Sequence, residues 1–161
     1  MIASNLIQLL TSLCTSEVDF IIVGGLAAVL NGAPIQTYDL DVVYSRQEAN
    51  VELLLKLLPE LDAIFRIQPH RKLRPNATHL SGHGQMNLIT RFGPFDLLAT
   101  VGNRLYYDDL LPDSELLDLG ENLKVRVLKL ETIIALKEQL GHPKDLAALP
   151  ALRQTLRERT K

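Results

Sequence analysis

Two aspartates separated by one residue, Asp39 and Asp41, are the side chains of this sequence whose type and spacing most directly suggest chemistry. They lie in residues 37–44, a run that predicts a β-strand. In a strand, side chains at positions i and i+2 point to the same face, so both carboxylates would project together while Leu40 turns into the core. Such a pair stays ionised near neutral pH only where water screens it or a cation neutralises it. The spacing therefore predicts either a solvated strand end or a site for Mg²⁺, which binds one or two carboxylates together with water and phosphate oxygens.

A glycine pair, Gly24 and Gly25, follows the strand predicted over residues 18–23 and precedes the short helix predicted over residues 26–30. Glycine allows a backbone to approach a ligand closely, and the free amides at the start of a helix favour an anion. The pair therefore predicts either a tight structural turn or a phosphate site. The sequence contains neither Gly-x-Gly-x-x-Gly nor the Gly-Lys-Ser/Thr ending of a P-loop, so it does not support either of those nucleotide-binding classes.

A third acid, Asp96, lies in the second strand of a hairpin predicted over residues 86–89 and 94–99. It is either an ordinary hairpin acid or part of the same acidic site. Further along, Lys137 falls on the apolar face of a helix predicted over residues 129–140 and ended by Gly141. A lysine on that face either reaches a partner or extends along the surface into solvent. A last helical stretch opens at Pro143 and is predicted to be interrupted or restarted at Pro150.

The elements that must position these residues fit a single domain of 161 residues, with a core over residues 18–100 and a C-terminal helical part over residues 129–161. An N-terminal helix is predicted from a stripe of apolar residues, which comprises Ile2, Leu6, Leu9, Leu10 and Leu13. Residues 47–58 predict an amphipathic helix closed by Pro59. Residues 66–79 predict a loop or a ragged strand pair, and residues 124–128 predict one more short strand. The apolar residues within 106–122 show no clear helical or strand period.

Composition and charge exclude several classes of protein. The 17 Lys and Arg residues against 19 Asp and Glu residues give a formal charge of -2, which excludes the overall basic character of a dedicated nucleic-acid binder. The lone cysteine, Cys14, cannot form an internal disulfide, and no signal peptide is recognised, so a cytoplasmic location is expected. The longest apolar run is too short to cross a bilayer, so no membrane partner is expected.

The run Val23-Gly24-Gly25, followed by thirteen residues and then Asp39-Leu40-Asp41-Val42, resembles the signature of the nucleotidyltransferase superfamily, whose fold is shared with polymerase beta. The resemblance implies an α+β domain, with a mixed β-sheet flanked by helices and a C-terminal helical segment. It implies that Gly24, Gly25 and Thr37 bind a nucleoside triphosphate. It also implies that Asp39, Asp41 and Asp96 are catalytic and bind Mg²⁺ or Mn²⁺. The reaction implied is transfer of a nucleoside monophosphate to an acceptor hydroxyl, with release of pyrophosphate.

Residues 130–137 and 142–146 resemble the closing motif of the AbiEii/AbiGii-type branch of that superfamily, known from bacterial toxin–antitoxin systems. This resemblance implies that Lys137, Lys144 and Asp145 bind the nucleotide. It also implies a cognate antitoxin as partner and RNA, including tRNA, or a protein as acceptor; a small-molecule acceptor is equally open.

Two positions depart from the family pattern. Ile35 stands where relatives often carry an arginine, and Ala148 stands where they often carry a second acid. The alternative prediction is therefore a catalytically degenerate module that binds a nucleotide or a partner protein without turnover.

Two other patterns have competing interpretations. His79 and His83 have the i, i+4 spacing of helical zinc ligands, but the glycines around them argue against the helix that would align them. A basic run comprises Arg66, His70, Arg71, Lys72 and Arg74. It is interpreted as a solvated loop, with contacts to RNA phosphates or to a nucleotide tail as the alternative.

Overall fold

A mixed β-sheet is the centre of the fold in the computed structural model, which describes residues 4–160. The strands, in chain order, are β1 (Phe20–Val23), β2 (Leu40–Tyr44), β3 (Ile64–Phe65), β4 (Gln85–Thr90), β5 (Gly93–Leu98), β6 (Thr100–Val101), β7 (Leu105–Tyr106), β8 (Ser114–Asp118) and β9 (Lys124–Leu128). Strands β6 and β7 form a small hairpin of their own. The other seven form the sheet, in the spatial order β3-β4-β5-β2-β1-β9-β8.

Helices occupy the connections between the strands and the end of the chain. They are α1 (Ser4–Thr15), α2 (Gly24–Leu30), α3 (Glu48–Glu60), α4 (Ala77–Ser81), α5 (Tyr107–Leu110), α6 (Leu130–Leu140) and α7 (Pro143–Arg159). Short 3₁₀ turns cover Pro69–Arg71 and Leu111–Asp113. None of the helices within residues 4–160 has the length and apolar character needed to cross a membrane.

The sheet contains both parallel and antiparallel strand pairs. Strand β1 runs antiparallel to β2 and parallel to β9, whereas β2 runs parallel to β5. The pairs β3–β4, β4–β5 and β8–β9 are antiparallel. The predicted α+β architecture, a mixed sheet flanked by helices with a helical C-terminal segment, is confirmed.

The core lies between this sheet and the helices. The α1 stripe is buried as predicted, with Leu6, Leu9, Leu10 and Leu13 all at 0% exposure; Ile2 lies outside the described residues. The predicted hairpin is present as β4 and β5, and the strand predicted over residues 124–128 is β9. These predictions succeeded because each segment carries its own apolar pattern.

The two prolines that were predicted to interrupt or end helices lie within helices instead. Pro150 lies inside a continuous α7, so the predicted interruption is wrong. A proline removes the hydrogen bond to the carbonyl four residues earlier, here that of Leu146. Both Pro150 and Leu146 are exposed, so water can donate a hydrogen bond to that carbonyl. Pro59 likewise lies within the last turn of α3, which ends at Glu60 and not before the proline.

One predicted strand begins later than expected, and two segments without a definite predicted element contain short helices and strands. The strand predicted from Thr37 begins only at Leu40, so Asp39 precedes it. Residues 66–79 are mainly loop, one of the two predicted alternatives, and contain the first 3₁₀ turn and the start of α4; residues 106–122, for which no element was predicted, contain α5 and β8. Strand β8 lies at the sheet edge, where a strand can leave one face and one side in solvent, and this explains the weak apolar period of its sequence.

Candidate active site

Asp41 and Asp96 lie side by side on neighbouring parallel strands. The register of β2 against β5 places Asp41 directly opposite Asp96. Residues opposite each other in a sheet share a face, so the two carboxylates project into the same space. Asp96 is buried, with 8% exposure, and Asp41 is partly buried. Tertiary pairing of distant segments therefore assembles an acidic pair.

The carboxylate of Asp41 lacks the partners that a buried charge requires. Its Oδ1 atom is buried and has no hydrogen-bond partner among the described residues. The pKa of Asp41 is raised to about 7, mainly by burial and then by the nearby carboxylates of Asp96 and Asp39, while the Arg66 guanidinium opposes the rise. An unpartnered carboxylate oxygen of this kind takes up a proton or a cation.

Asp39 does not complete a three-acid group. It is exposed and stands just before β2, although its charge still acts on Asp41. The i, i+2 argument applies only within an extended strand, and Asp39 lies outside β2. Within residues 4–160, no three His, Cys, Asp or Glu side chains form a group that could hold a metal ion. The structure thus brings two of the three predicted acids together and leaves Asp39 at the rim.

The predicted glycine turn lies against this pair. Gly24 opens α2 directly after β1, in the left-handed region with φ +68°. A Cβ atom at Gly24 would overlap the carboxylate of Asp41, and one at Gly25 would lie 3.0 Å from Oγ1 of Thr37. Asp41 therefore lies against the turn at Gly24, and Thr37 lies against it at Gly25.

A cleft joins the glycine turn to the C-terminal helices. Gly24, Asp41, Lys137 and Asp145 line it, together with apolar residues from β5, β6, β9 and α6. Its volume of about 150 Å³ is below the 300–1,000 Å³ of typical ligand pockets, so it fits only part of a nucleotide. The remaining part of any nucleotide must lie across the open rim.

Lys137 has a partner in this cleft. Its Nζ lies 3.5 Å from Oδ1 of Asp145, and the lysine side chain is 26% exposed. The other carboxylate oxygen of Asp145 lies 3.3 Å from Nδ1 of His142. Of the two alternatives for Lys137, the structure shows the one in which it reaches a partner. Lys144, in contrast, is exposed near the start of α7, and the structure does not bring it to the cleft lining.

Arg66 is a site residue that the sequence interpretation assigned to a solvated loop. Its Nη2 lies 2.9 Å from Oδ1 of Asp96, a close ion pair whose geometry is not that of an aligned hydrogen bond. Its Nη1 donates a hydrogen bond to the carbonyl of Leu88 at 2.8 Å. The residue directly follows β3, a two-residue strand that no local apolar pattern revealed. Only the pairing of β3 with β4 brings Arg66 to the acids.

The two histidines of the i, i+4 pattern make separate contacts. His79 belongs to a capping box. Its backbone amide donates to Oδ1 of Asn76, and its Nδ1 accepts a hydrogen bond from the backbone amide of Asn76. The Nδ1 of His83 lies 2.8 Å from the hydroxyl of Tyr106. The helix α4 ends at Ser81, so the two rings do not share a helical face.

Comparison with known proteins gives structural neighbours only. No protein-family model matches the sequence, and no curated protein matches it. A candidate nucleotidyltransferase from Thermotoga maritima (TM1012) is 18% identical, with 95% of this chain and 91% of that chain covered and a TM-score of 0.53. The lincosamide antibiotic adenylyltransferase LnuA, solved with lincomycin bound, is 11% identical, with coverages of 96% and 98% and a TM-score of 0.63. At these identities the likeness shows the fold, which is the nucleotidyltransferase fold.

Proposed function

We propose that this chain is a metal-dependent nucleotidyltransferase, which transfers a nucleoside monophosphate from a nucleoside triphosphate to an acceptor hydroxyl and releases pyrophosphate. One observation carries the proposal: the buried Oδ1 of Asp41, which has no hydrogen-bond partner among residues 4–160, belongs to a carboxylate that lies opposite Asp96 and against the Gly24 turn. A buried acidic pair with an unsatisfied oxygen is costly in a free protein and needs a positive partner. The fold shared with LnuA, an adenylyltransferase, supports the same activity.

The donor set of the site fits a hard divalent cation. Asp41 and Asp96 supply carboxylate oxygens, and Asp39 stands at the rim, where its charge already acts on Asp41. Mg²⁺ binds through one or two carboxylates and leaves its other positions to water and phosphate oxygens, and Mn²⁺ accepts the same ligands. When bound, such an ion supplies charge neutralisation on the phosphoryl oxygens.

The protein's own groups have distinct roles in the proposed reaction. The Gly24 and Gly25 turn lets the polyphosphate approach the backbone, and Thr37 borders that turn. Lys137, held in the cleft by Asp145, offers its ammonium group to a phosphate oxygen. Asp96 receives the proton of the acceptor hydroxyl as that oxygen bonds to the α-phosphorus and the bond to pyrophosphate breaks.

Two acceptor classes follow from different similarities. The C-terminal motif that resembles the AbiEii/AbiGii-type branch favours RNA, including tRNA, or a protein, with a cognate antitoxin as partner. The shared fold with LnuA, which was solved with lincomycin bound, favours the hydroxyl of a small molecule. Incubation of the protein with each of the four labelled triphosphates and total RNA, total protein or lincomycin distinguishes these classes by where the label appears.

The decisive test of the proposal is Asp41→Asn, with Asp62→Asn as a matched control. Asp62 is an exposed aspartate with a φ of 55°, a conformation that asparagine also tolerates well. We expect Asp41→Asn to abolish Mg²⁺-dependent label transfer and pyrophosphate release while its far-ultraviolet circular dichroism stays that of the wild type. Unchanged transfer by Asp41→Asn would overturn the proposal.

A second candidate function is a nucleotide-binding or protein-interaction module without turnover. The specific observation in its favour is that Arg66 already neutralises Asp96, the residue that would receive the acceptor proton. The isoleucine at position 35, where relatives often carry an arginine, also favours a module without turnover. Calorimetry that detects nucleotide binding, together with the absence of pyrophosphate release across the acceptor screen, would favour this module.

A further inference from the structure

The two members of the acidic pair differ in how their charges are balanced. Neither Oδ1 atom has an aligned hydrogen-bond partner among residues 4–160, but Asp96 has the Arg66 guanidinium 2.9 Å from its Oδ1 atom, whereas Asp41 forms no ion pair within those residues. The two carboxylates therefore differ in how strongly each one favours the binding of an added cation. Arginine stays protonated at every accessible pH, so the charge beside Asp96 is permanent.

The position of Arg66 is defined by three contacts. Its backbone amide donates to the carbonyl of Asn87 at 2.9 Å, which extends the pairing of β3 with β4 by one residue. Its Nη1 donates to the carbonyl of Leu88, and its Nη2 contacts Asp96. Asn87 lies directly opposite Asp96 on β5. The guanidinium is thus fixed between the edge of the sheet and the acidic pair.

We propose that Arg66 occupies the charge-balancing position at Asp96, so that the free protein binds one divalent cation, at Asp41, and not two. Arg66 is then a positioning residue, which acts through Asp96. This inference rests on the proposed metal-dependent function and specifies the cation stoichiometry of that site. A second divalent ion at Asp96 would have to displace the guanidinium or lie beside a like charge, and both are unfavourable.

The test is a titration of the metal-free protein with Mn²⁺, in which electron paramagnetic resonance measures the free ion. The variants are Arg66→Gln, which removes the charge, and Arg66→Lys, which keeps it. Arg74→Gln is the matched control because it makes the same change of charge at an exposed arginine of the same segment. Thermal unfolding of each variant checks that the loss of the Leu88 contact leaves the protein folded.

We expect one Mn²⁺ site in the wild type, in Arg66→Lys and in Arg74→Gln. Arg66→Gln should gain a second site or bind its first Mn²⁺ at least 10-fold more tightly. Two sites in the wild type, with the same two sites in Arg66→Gln, would overturn the role of Arg66 and leave the metal-dependent function standing. If Arg66→Gln fails to fold, two sites in the wild type and in Arg66→Lys would overturn the proposal, and one site in each would support it.

Failure of the proposed metal-dependent function would give a different result in the same titration. If neither the wild type nor any Arg66 variant binds Mn²⁺, and Asp41→Asn changes nothing, both the metal-dependent function and the role of Arg66 are wrong. If Mn²⁺ binds only after Arg66→Gln, the proposed single site in the wild type is wrong, because Arg66 then excludes the metal from the whole acidic pair, and the wild type is favoured as the module without turnover.

Discussion

Gly24 and Asp41 lie so close that a side-chain carbon on the glycine would overlap the carboxylate of the aspartate. The contact arises because β1 pairs antiparallel with β2, which puts Val23 opposite Asp41 and the turn that follows β1 beside the acid. The glycine turn and the acidic pair are therefore one site, in which neither element can change shape independently of the other.

The first prediction concerns Gly24→Ala. A Cβ at this position meets the Asp41 carboxylate. In addition, the left-handed backbone conformation at residue 24 costs alanine about 1–2 kcal/mol. We expect a loss of nucleotide binding of at least 10-fold and a free energy of unfolding lowered by about 1–3 kcal/mol. Calorimetry with each triphosphate and urea unfolding measure the two effects.

The control for that substitution is Gly84→Ala. A Cβ at Gly84 would meet no atom within 4 Å, and Gly84 lies outside the left-handed region. Both nucleotide affinity and stability should stay at wild-type values. If the two alanine variants behave alike, the contact between the turn and Asp41 does not govern nucleotide binding.

The second prediction is a pH dependence of stability in the absence of metal. Asp41 has a pKa of about 7 in the folded protein, raised mainly by burial, against about 3.9 for an unperturbed aspartate. Between these values the folded chain holds a proton that the unfolded chain has released. The stabilisation from this group is therefore complete below about pH 4 and is lost as the pH rises to about 7.

Asp41→Asn removes that titration. Urea unfolding of metal-free protein from pH 4 to pH 8 should show the wild type losing at least ~1 kcal/mol of stability relative to Asp41→Asn. The exposed Asp62→Asn variant should follow the wild type. A difference between wild type and Asp41→Asn that stays constant over this range would show that the carboxyl group is not buried as the structure has it.

The third prediction separates two lysines that the sequence interpretation treated alike. Lys137 lines the cleft and pairs with Asp145, whereas Lys144 is exposed on α7. Lys137→Met should weaken triphosphate binding at least 10-fold, because the proposed charge-assisted contact from this partly buried lysine to phosphate is lost. Lys144→Met should change affinity less than 2-fold, within the small range expected of an exposed contact. Equal losses in the two variants would place the nucleotide outside this cleft.

The fourth prediction concerns the link that holds α2, and with it the glycine turn, to the C-terminal helix. The buried amide of Asn31 donates to the carbonyls of Ala27 and Leu128, and its Oδ1 accepts from Arg159. Asn31→Ala removes these three hydrogen bonds at a buried position, so we expect a loss of about 2–4 kcal/mol in the free energy of unfolding. Chemical denaturation measures it.

A matched substitution at a surface asparagine tests whether that loss is specific. Asn103 is exposed in the turn between β6 and β7, and Asn103→Ala should lie within about 0.5 kcal/mol of the wild type. A cooperative single transition in both variants would also agree with the predicted single domain over residues 1–161. Two separate transitions would contradict that domain assignment.

Local patterns in the sequence determined the features that depend on neighbouring residues. The glycine pair after an apolar run, the alternation in β4 and β5, the strand over residues 124–128 and the Gly141 end of α6 all follow from side-chain periodicity and backbone preference. These preferences act over a few residues, so they can be read directly from the sequence.

Tertiary structure alone decided which charged groups meet. Asp96 faces Asp41 because β2 and β5 pair in parallel across more than fifty residues of chain, and Arg66 reaches Asp96 through the short edge strand β3. Asp39 is exposed and lies at the rim of the pair, one residue before the first residue of β2. Which distant strands become neighbours depends on the packing of the whole sheet, and the local pattern of a single strand does not reveal its partner.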